Sequence, residues 1–253
     1  MIHHRSVVFV VAALVLALHS GQASSQELGW DIKAEANASL FFGNTRQSTF
    51  GTRYSAGRAD STLEVQTDGQ FTYGEAETDE QREYVTKRSW RAGLTADYRP
   101  FARVSPFVLG SIESSLEKRI DRRYSAGAGA KLVFVRNERT ASDVSLALLA
   151  ERSLLPNPTG PRIDETMARY SARFRLDRKV GDRVTVGHET FYRPEAKALD
   201  RFTFTSRTSI AFTMAASLAF QASFLDNYDS EARTRGARSN NDGEFLFGLA
   251  LTM

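Results

Sequence analysis

Arg169, Arg173 and Arg175 recur at even spacing, and Arg207 follows further along the chain. In an extended chain alternate side chains share a face, so these form a ladder of guanidinium groups on one side of a strand. Glu189 falls on the corresponding face of the next extended segment, and Glu35, Glu64 and Asp68 on those of the earliest segments. Asp97, Glu113, Asp143, Glu151 and Asp177 continue the series. Arginine stays charged and offers several donors to carboxylate or phosphate, so such a face pairs internally or lowers the barrier for small anions. A face this charged must look into water or onto opposite charges.

His188 is the other residue capable of chemistry. It is the only histidine beyond His3, His4 and His19, so a site built from paired histidines is excluded and zinc and copper are not expected. It shares a face with the apolar Val184, Val186 and Tyr192, and antiparallel pairing with the next strand would bring Ser206 near it. A nucleophile and base on an apolar outer face resemble surface lipid hydrolases. Glu189 points the other way, and no acid or amide is placed to orient the imidazole, so no residue is assigned as catalytic and the hydrolase is the remote alternative. The acidic run Glu75, Glu77, Asp79 and Glu80 lacks the twelve-residue loop that holds calcium. Gly127 and Gly129 lie in an alternating segment with no following helix, which excludes a phosphate cradle. No cofactor or metal is expected.

The elements that position these residues are strands of period two. Phe245, Phe247, Leu249, Leu251 and Met253 alternate with Glu244, Gly248, Ala250 and Thr252 to the last residue, a lipid-facing row opposite a small and polar one. From Trp30, Ile32, Ala34, Ala36, Ala38, Leu40 and Phe42 alternate with Asp31, Lys33, Glu35, Asn37 and Ser39. Comparable segments follow to Ala56, from Leu63 to Tyr73, and over 84–98, 105–117, 124–134, 144–152, 163–177, 183–192, 202–212 and 216–225. The fifth has an ambiguous face, and the Ala-rich boundary near Thr213 also suits a helix, but its flanking alternation favours strands. About twelve segments result, an even number, which predicts an all-β fold: an antiparallel transmembrane β-barrel.

The rest of the chain agrees. His3, His4 and Arg5 precede an apolar run from Val7 to Leu18, with Gly21 and Ala23 at the spacing of a signal-peptidase site. Residues 1–23 read as a secretory signal peptide, and residues 24–253 as the barrel. No later stretch approaches the roughly 18 apolar residues of a spanning helix. There is no cysteine, so neither disulfides nor a lipidated N-terminal cysteine enter. A mean hydropathy of −0.35 fits a barrel whose inner face is polar. The 33 Lys and Arg against 30 Asp and Glu give no reason to invoke nucleic acid.

With both termini taken as periplasmic, the connections around 43–45, 74–81, 118–122, 153–162, 193–200 and 226–242 lie at the outer rim and are mostly long and polar. Those at 57–60, 99–104, 136–142, 179–182 and near Thr213 are short, the asymmetry expected of outer-membrane barrels. Trp30, Trp90, Tyr54, Tyr73, Tyr98, Tyr170 and Tyr192 fall on lipid-facing parities as girdle residues. Outer-membrane lipid and lipopolysaccharide, and the assembly machinery acting on the last strand, are the expected partners.

Four stretches carry a family resemblance: Phe41-Phe42-Gly43-Asn44-Thr45, Phe71-Thr72-Tyr73-Gly74-Glu75, Arg123-Tyr124-Ser125-Ala126-Gly127-Ala128-Gly129 and Asp226-Asn227-Tyr228-Asp229-Ser230. In this order they resemble the YdiY-like salt-induced outer-membrane proteins, over nearly all of the mature chain. The resemblance implies a small outer-membrane barrel with no established activity. This chain departs from the family in ending on Met253 in place of an aromatic residue, and in lacking the proline often found soon after the Asp-Ser pair. The functional expectation is a narrow small-solute channel, weakly anion-selective, located in the outer membrane, with Arg169, Arg173, Arg175, Arg207, Glu189, Glu35, Glu64 and Asp68 in its lumen. A structural or surface-binding barrel is the alternative, its loops carrying Arg233, Arg235 and Arg238, and Pro156, Pro158 and Pro161.

Overall fold

A computed structural model describes residues 29–41, 46–77, 83–157 and 160–252. The expected leader, the 43–45 turn, Asp79, Glu80, Pro158 and Met253 lie outside them. Twelve strands follow in order: β1 (Asp31–Phe41), β2 (Arg46–Ala59), β3 (Leu63–Glu77), β4 (Glu83–Tyr98), β5 (Val104–Ser115), β6 (Ile120–Arg136), β7 (Thr140–Leu155), β8 (Ile163–Val180), β9 (Val184–Glu195), β10 (Ala198–Ala215), β11 (Leu218–Asp229) and β12 (Asn241–Thr252). Each pairs antiparallel with its sequence neighbours, and β1 pairs with β12 to close a barrel. The seam runs from Lys33 opposite Thr252 to Asn37 opposite Gly248, so both ends of the barrel's chain emerge at one rim, that of the 60–62, 137–139, 181–183 and 216–217 turns.

The outer face explains why the sheet closes. Phe245 is 71% exposed, Leu146 62% and Val108 57%, and large apolar side chains of this kind recur on every strand from β2 to β12. A continuous apolar belt is untenable in water and is what lipid requires. Within lipid, each backbone N–H and C=O needs a partner inside the protein, and an open edge has none. Trp90, Tyr54, Tyr98, Tyr170 and Tyr192 are all exposed on this face, as their parity predicts.

One expectation is corrected. Most connections at the rim opposite the chain ends, expected to be long, are not: 193–200 is almost entirely strand, with β9 reaching Glu195 and β10 starting at Ala198. Roughly nine to eleven residues suffice to cross a bilayer, so an 18-residue strand such as β8 or β10 continues well beyond it. Outside lipid both faces of a hairpin are wet, and polar residues do not end the ladder. The Ala-rich boundary is also strand, with β10 carried over an irregularity at Thr213/Ala215 and turning at 216–217. The ambiguous fifth segment resolves with Phe107 buried inward and Val108 outward.

Inside, glycine allows strands to approach where nothing larger fits. A Cβ on Gly129 would lie 2.1 Å from the Leu146 carbonyl oxygen, and one on Gly248 would lie 2.2 Å from that of Ala36, across the seam. Both obstacles are backbone and cannot swing aside. At the turn between β2 and β3 the Leu63 and Thr62 amides donate to the Asp60 carboxylate at 2.8 and 2.7 Å and hold it below the usual aspartate range. Gly129→Val and Gly248→Val are each expected to destabilise the barrel by about 3 kcal/mol, the upper end of overpacking costs. Gly110→Ala, whose new Cβ would find its nearest neighbour at 4.0 Å, is expected to be neutral. Urea unfolding in lipid vesicles checks all three, and equal stabilities would refute the close-approach argument.

Candidate functional site

The lumen face follows from the register, and its charges are arranged in pairs. On β8 the Arg169 Nε lies 3.1 Å from Glu151 Oε1, with both side chains almost fully buried. Glu151 is shared with Arg123, whose Nε is 3.2 Å away. The Arg123 Nη1 donates to Glu113 at 3.1 Å and its Nε to Ser153 Oγ at 2.9 Å. Further along β8, Arg173 and Arg175 converge on Asp143: Arg173 Nη2 reaches Oδ1 at 3.0 Å, and Arg175 Nε and Nη2 reach Oδ2 at 2.9 and 2.8 Å. Glu189 stands 3.8 Å from Arg173 Nη1. The expected ladder therefore exists, each rung leaning on a carboxylate.

Other pairs cross the lumen. Arg207 on β10 donates to Glu35 on β1 at 2.5 Å, three strands away around the ring. Lys87 on β4 reaches Glu244 on β12 at 2.6 Å, four strands away. Lys131 on β6 lies 2.6 Å from Asp97 and 3.8 Å from Glu64. Asp68 packs over Gly93, where a Cβ would sit 2.6 Å from its Oδ1. Of the residues expected in the lumen, all eight face it, and seven of them stand in ion pairs.

Sequence reasoning passed over Lys87, Arg91, Arg123, Lys131 and Arg193, and set Arg53 and Glu244 on polar rows without counting them as lumen candidates. Their signal was available, because Lys87 and Arg91 share the parity of Asp97, and Arg193 that of Glu189. Arg53, Arg91 and Arg193 differ from the rest in standing in no ion pair among the described residues. Arg53 Nη2 donates to Gln70 at 3.1 Å, Arg193 Nε donates to Ser171 at 3.4 Å, and Arg193 lies 4.3 Å over the Phe191 ring.

Such an interior is stable only when complete. Removing charges from water costs several kcal/mol each, repaid by close pairs whose remaining polar atoms are bonded. The network is densest from β4 to β8. Towards β10–β12 and β1 the lining thins: Glu35, Asn37, Arg207, Gln221, Ser223 and Gly248 border a cavity of about 10 Å³, about the size of one water.

His188 faces outward as expected, but its partners differ. The register sets it opposite Thr208, and its Nδ1 lies 2.9 Å from Thr208 Oγ1. Thr190 Oγ1 lies 2.8 Å from Nε2 and 3.3 Å from Ser206 Oγ. Ser206 thus meets Thr190 and not the imidazole, because its register partner is Thr190. Two threonine hydroxyls occupy the ring nitrogens, and no nucleophile–base pair forms with Ser206.

Comparison with known proteins accords with this architecture. The sequence profile of the family described as "Protein of unknown function, DUF481" matches residues 34–252. No curated protein matches the sequence. Among solved structures, the NanC porin is similar at a TM-score of 0.51 and 8% identity, over 88% of this chain and 100% of that one. The translocator domain of the autotransporter NalP from Neisseria meningitidis follows at 0.47 and 8%, over 96% of each chain. An outer-membrane channel from Pseudomonas putida F1 gives 0.46 and 10%, over 88% and 94%. At such identities the likeness is one of fold, and of these three the NanC comparison has the score to support it.

The shared carboxylate of Asp143 gives the sharpest test of the paired lumen. Asp143→Ala leaves Arg173 and Arg175 without their common partner and is expected to cost about 3 kcal/mol, as when one side of a buried pair is removed. Urea unfolding in vesicles measures it. A loss below about 1 kcal/mol would mean that the network does not hold the barrel.

Proposed function

Because the chain belongs to the family described as protein of unknown function DUF481, in keeping with the resemblance read from its motifs, membership brings no activity, and we propose one from the lumen: a narrow small-solute channel of the outer membrane, weakly anion-selective. One observation carries this reading. The lumen charges are paired and yet remain open to water: the Arg173 side chain is 24% exposed, Arg175 29% and Glu189 34%, all pointing into the barrel. A dry plug would bury them as thoroughly as Glu151. A twelve-strand barrel lies between the filled eight-strand kind and the open porins, which suits a passage bordered by locked charges.

Weak selectivity follows from the pairing. A bare guanidinium ladder would favour anions strongly, whereas one offset by Glu151, Asp143 and Glu35 leaves only a modest surplus of positive field. Export by the leader over residues 1–23, periplasmic termini, assembly through the last strand, and contact of the outer face with lipid and lipopolysaccharide belong to the same proposal. Catalysis is not part of it, since Glu35, Glu64, Glu113, Asp143, Glu151 and Glu189 are engaged by cations and His188 by threonines.

Planar-bilayer recording of the purified mature protein tests the channel. Discrete conductance steps are expected, with a reversal potential displaced slightly toward that of the anion in a potassium chloride gradient. Replacing Arg173 and Arg175 together with glutamine is expected to shift it toward the cation, because Asp143 is left uncompensated. Absence of conductance steps would discard the channel and favour a purely structural barrel.

A further inference from the structure

Of the three lumen arginines outside the ion-pair network, Arg91 and Arg193 act on one another, while Arg53 lies two strands from Arg91 in the field of Arg207, Glu35, Glu189 and Asp68. A single row of register partners runs Arg53, Gln70, Arg91, Glu113 across β2, β3, β4 and β5, so Arg53 and Arg91 flank Gln70 on one wall. Arg193 on β9 is five strands from Arg91 in a ring of twelve, almost opposite, and the two guanidinium groups are within repulsive Coulombic range. The Arg91 Nε is inaccessible to water and has no hydrogen-bond partner among the described residues. Arg193 is braced against Phe191, which fixes the plane of its guanidinium.

The neighbouring carboxylates are already engaged. Glu113 lies in the field of both Arg91 and Arg193 but is bonded to Arg123 at 3.1 Å. Glu151 is divided between Arg123 and Arg169. Glu189 also acts on Arg193, but it is engaged by Arg173 at 3.8 Å, so Arg91 and Arg193 are left without a close carboxylate of their own. Opposed, desolvated and unpaired cations are costly, and the cost disappears when an anion bridges them.

We propose that Arg91 and Arg193 form a binding site for a small oxyanion, a carboxylate or phosphate held between opposite walls of the lumen. The guanidinium fork matches the oxygens of either group with paired N–H donors, and facing forks accept a solute with acceptors at both ends. As a statement about solute class the inference rests on the channel reading; as a binding site it stands apart from it. Conduction would then be slowed by the same contacts that select the solute.

The test is thermal unfolding of the full barrel in detergent with inorganic phosphate, against chloride at equal ionic strength. Phosphate is expected to raise the midpoint of the parent protein and to leave that of the Arg91→Gln, Arg193→Gln double variant unmoved, because a ligand stabilises only the state that binds it. Arg91→Lys keeps the charge but loses the paired donors, and about tenfold weaker phosphate binding is expected of it. This single variant decides the matter if the double variant does not fold. No rise in the parent, an equal rise in the double variant, or unaltered affinity in Arg91→Lys would overturn the site. Phosphate stabilisation without conductance would keep the site and discard permeation, whereas conductance without stabilisation would keep the channel and discard the site.

Discussion

The constraint on which the structure depends is that lipid offers no hydrogen bonds to a peptide backbone. Every strand must find two neighbours, so β1 has to meet β12, and among the described residues that meeting is the shortest ladder in the ring, five pairs against eleven between β1 and β2. So short a seam needs close contact. Gly248 provides it by leaving room for the Ala36 carbonyl, and Gly127 and Gly129 do the same between β6 and β7. The apolar belt is the other half of the same constraint, since a sheet closed on itself can expose Phe245 and Leu146 only to a solvent that welcomes them.

Closure creates an interior that cannot be filled as a soluble core is. Outward positions belong to lipid, so the inward ones carry the polar residues, and within a narrow barrel their charges come within reach of one another. Electrostatics then decides the packing. Asp143 serves two arginines and Glu151 serves two more, an economy that leaves some cations with carboxylates and others with none. Arg91 and Arg193 fall among the latter through their positions on the ring, not through any oddity of local sequence.

This is also where the limits of sequence legibility lie. Alternation sufficed for strand number and for the parity of most segments, because those depend on neighbours one or two residues apart, as in Ile32 to Ala38 against Asp31 to Asn37. Pairing across the lumen depends on barrel size and on the stagger between strands, which no local pattern encodes. Nothing near Lys87 announces Glu244, and nothing near Arg207 announces Glu35. Loop lengths were overestimated for a related reason. Polarity marks where lipid ends, not where a hairpin ends, and the strands run on to Glu195 and Leu155 in water.

His188 shows how one register step decides chemistry. An imidazole among lipid-facing residues must satisfy two ring nitrogens without solvent, and the nearest hydroxyls do so: Thr208 directly across and Thr190 two residues along its own strand. Ser206 is then spent on Thr190. Had the hairpin between β9 and β10 slipped by two residues, Ser206 would face His188 and the outer wall would carry the beginnings of a nucleophile and its base. The hairpin places Thr208 there instead, and Phe174, 6.0 Å away from the imidazole ring, closes the apolar side. The outer wall gains a closed hydrogen-bonded cluster that costs little in lipid, and the charged chemistry of the protein is left to the lumen.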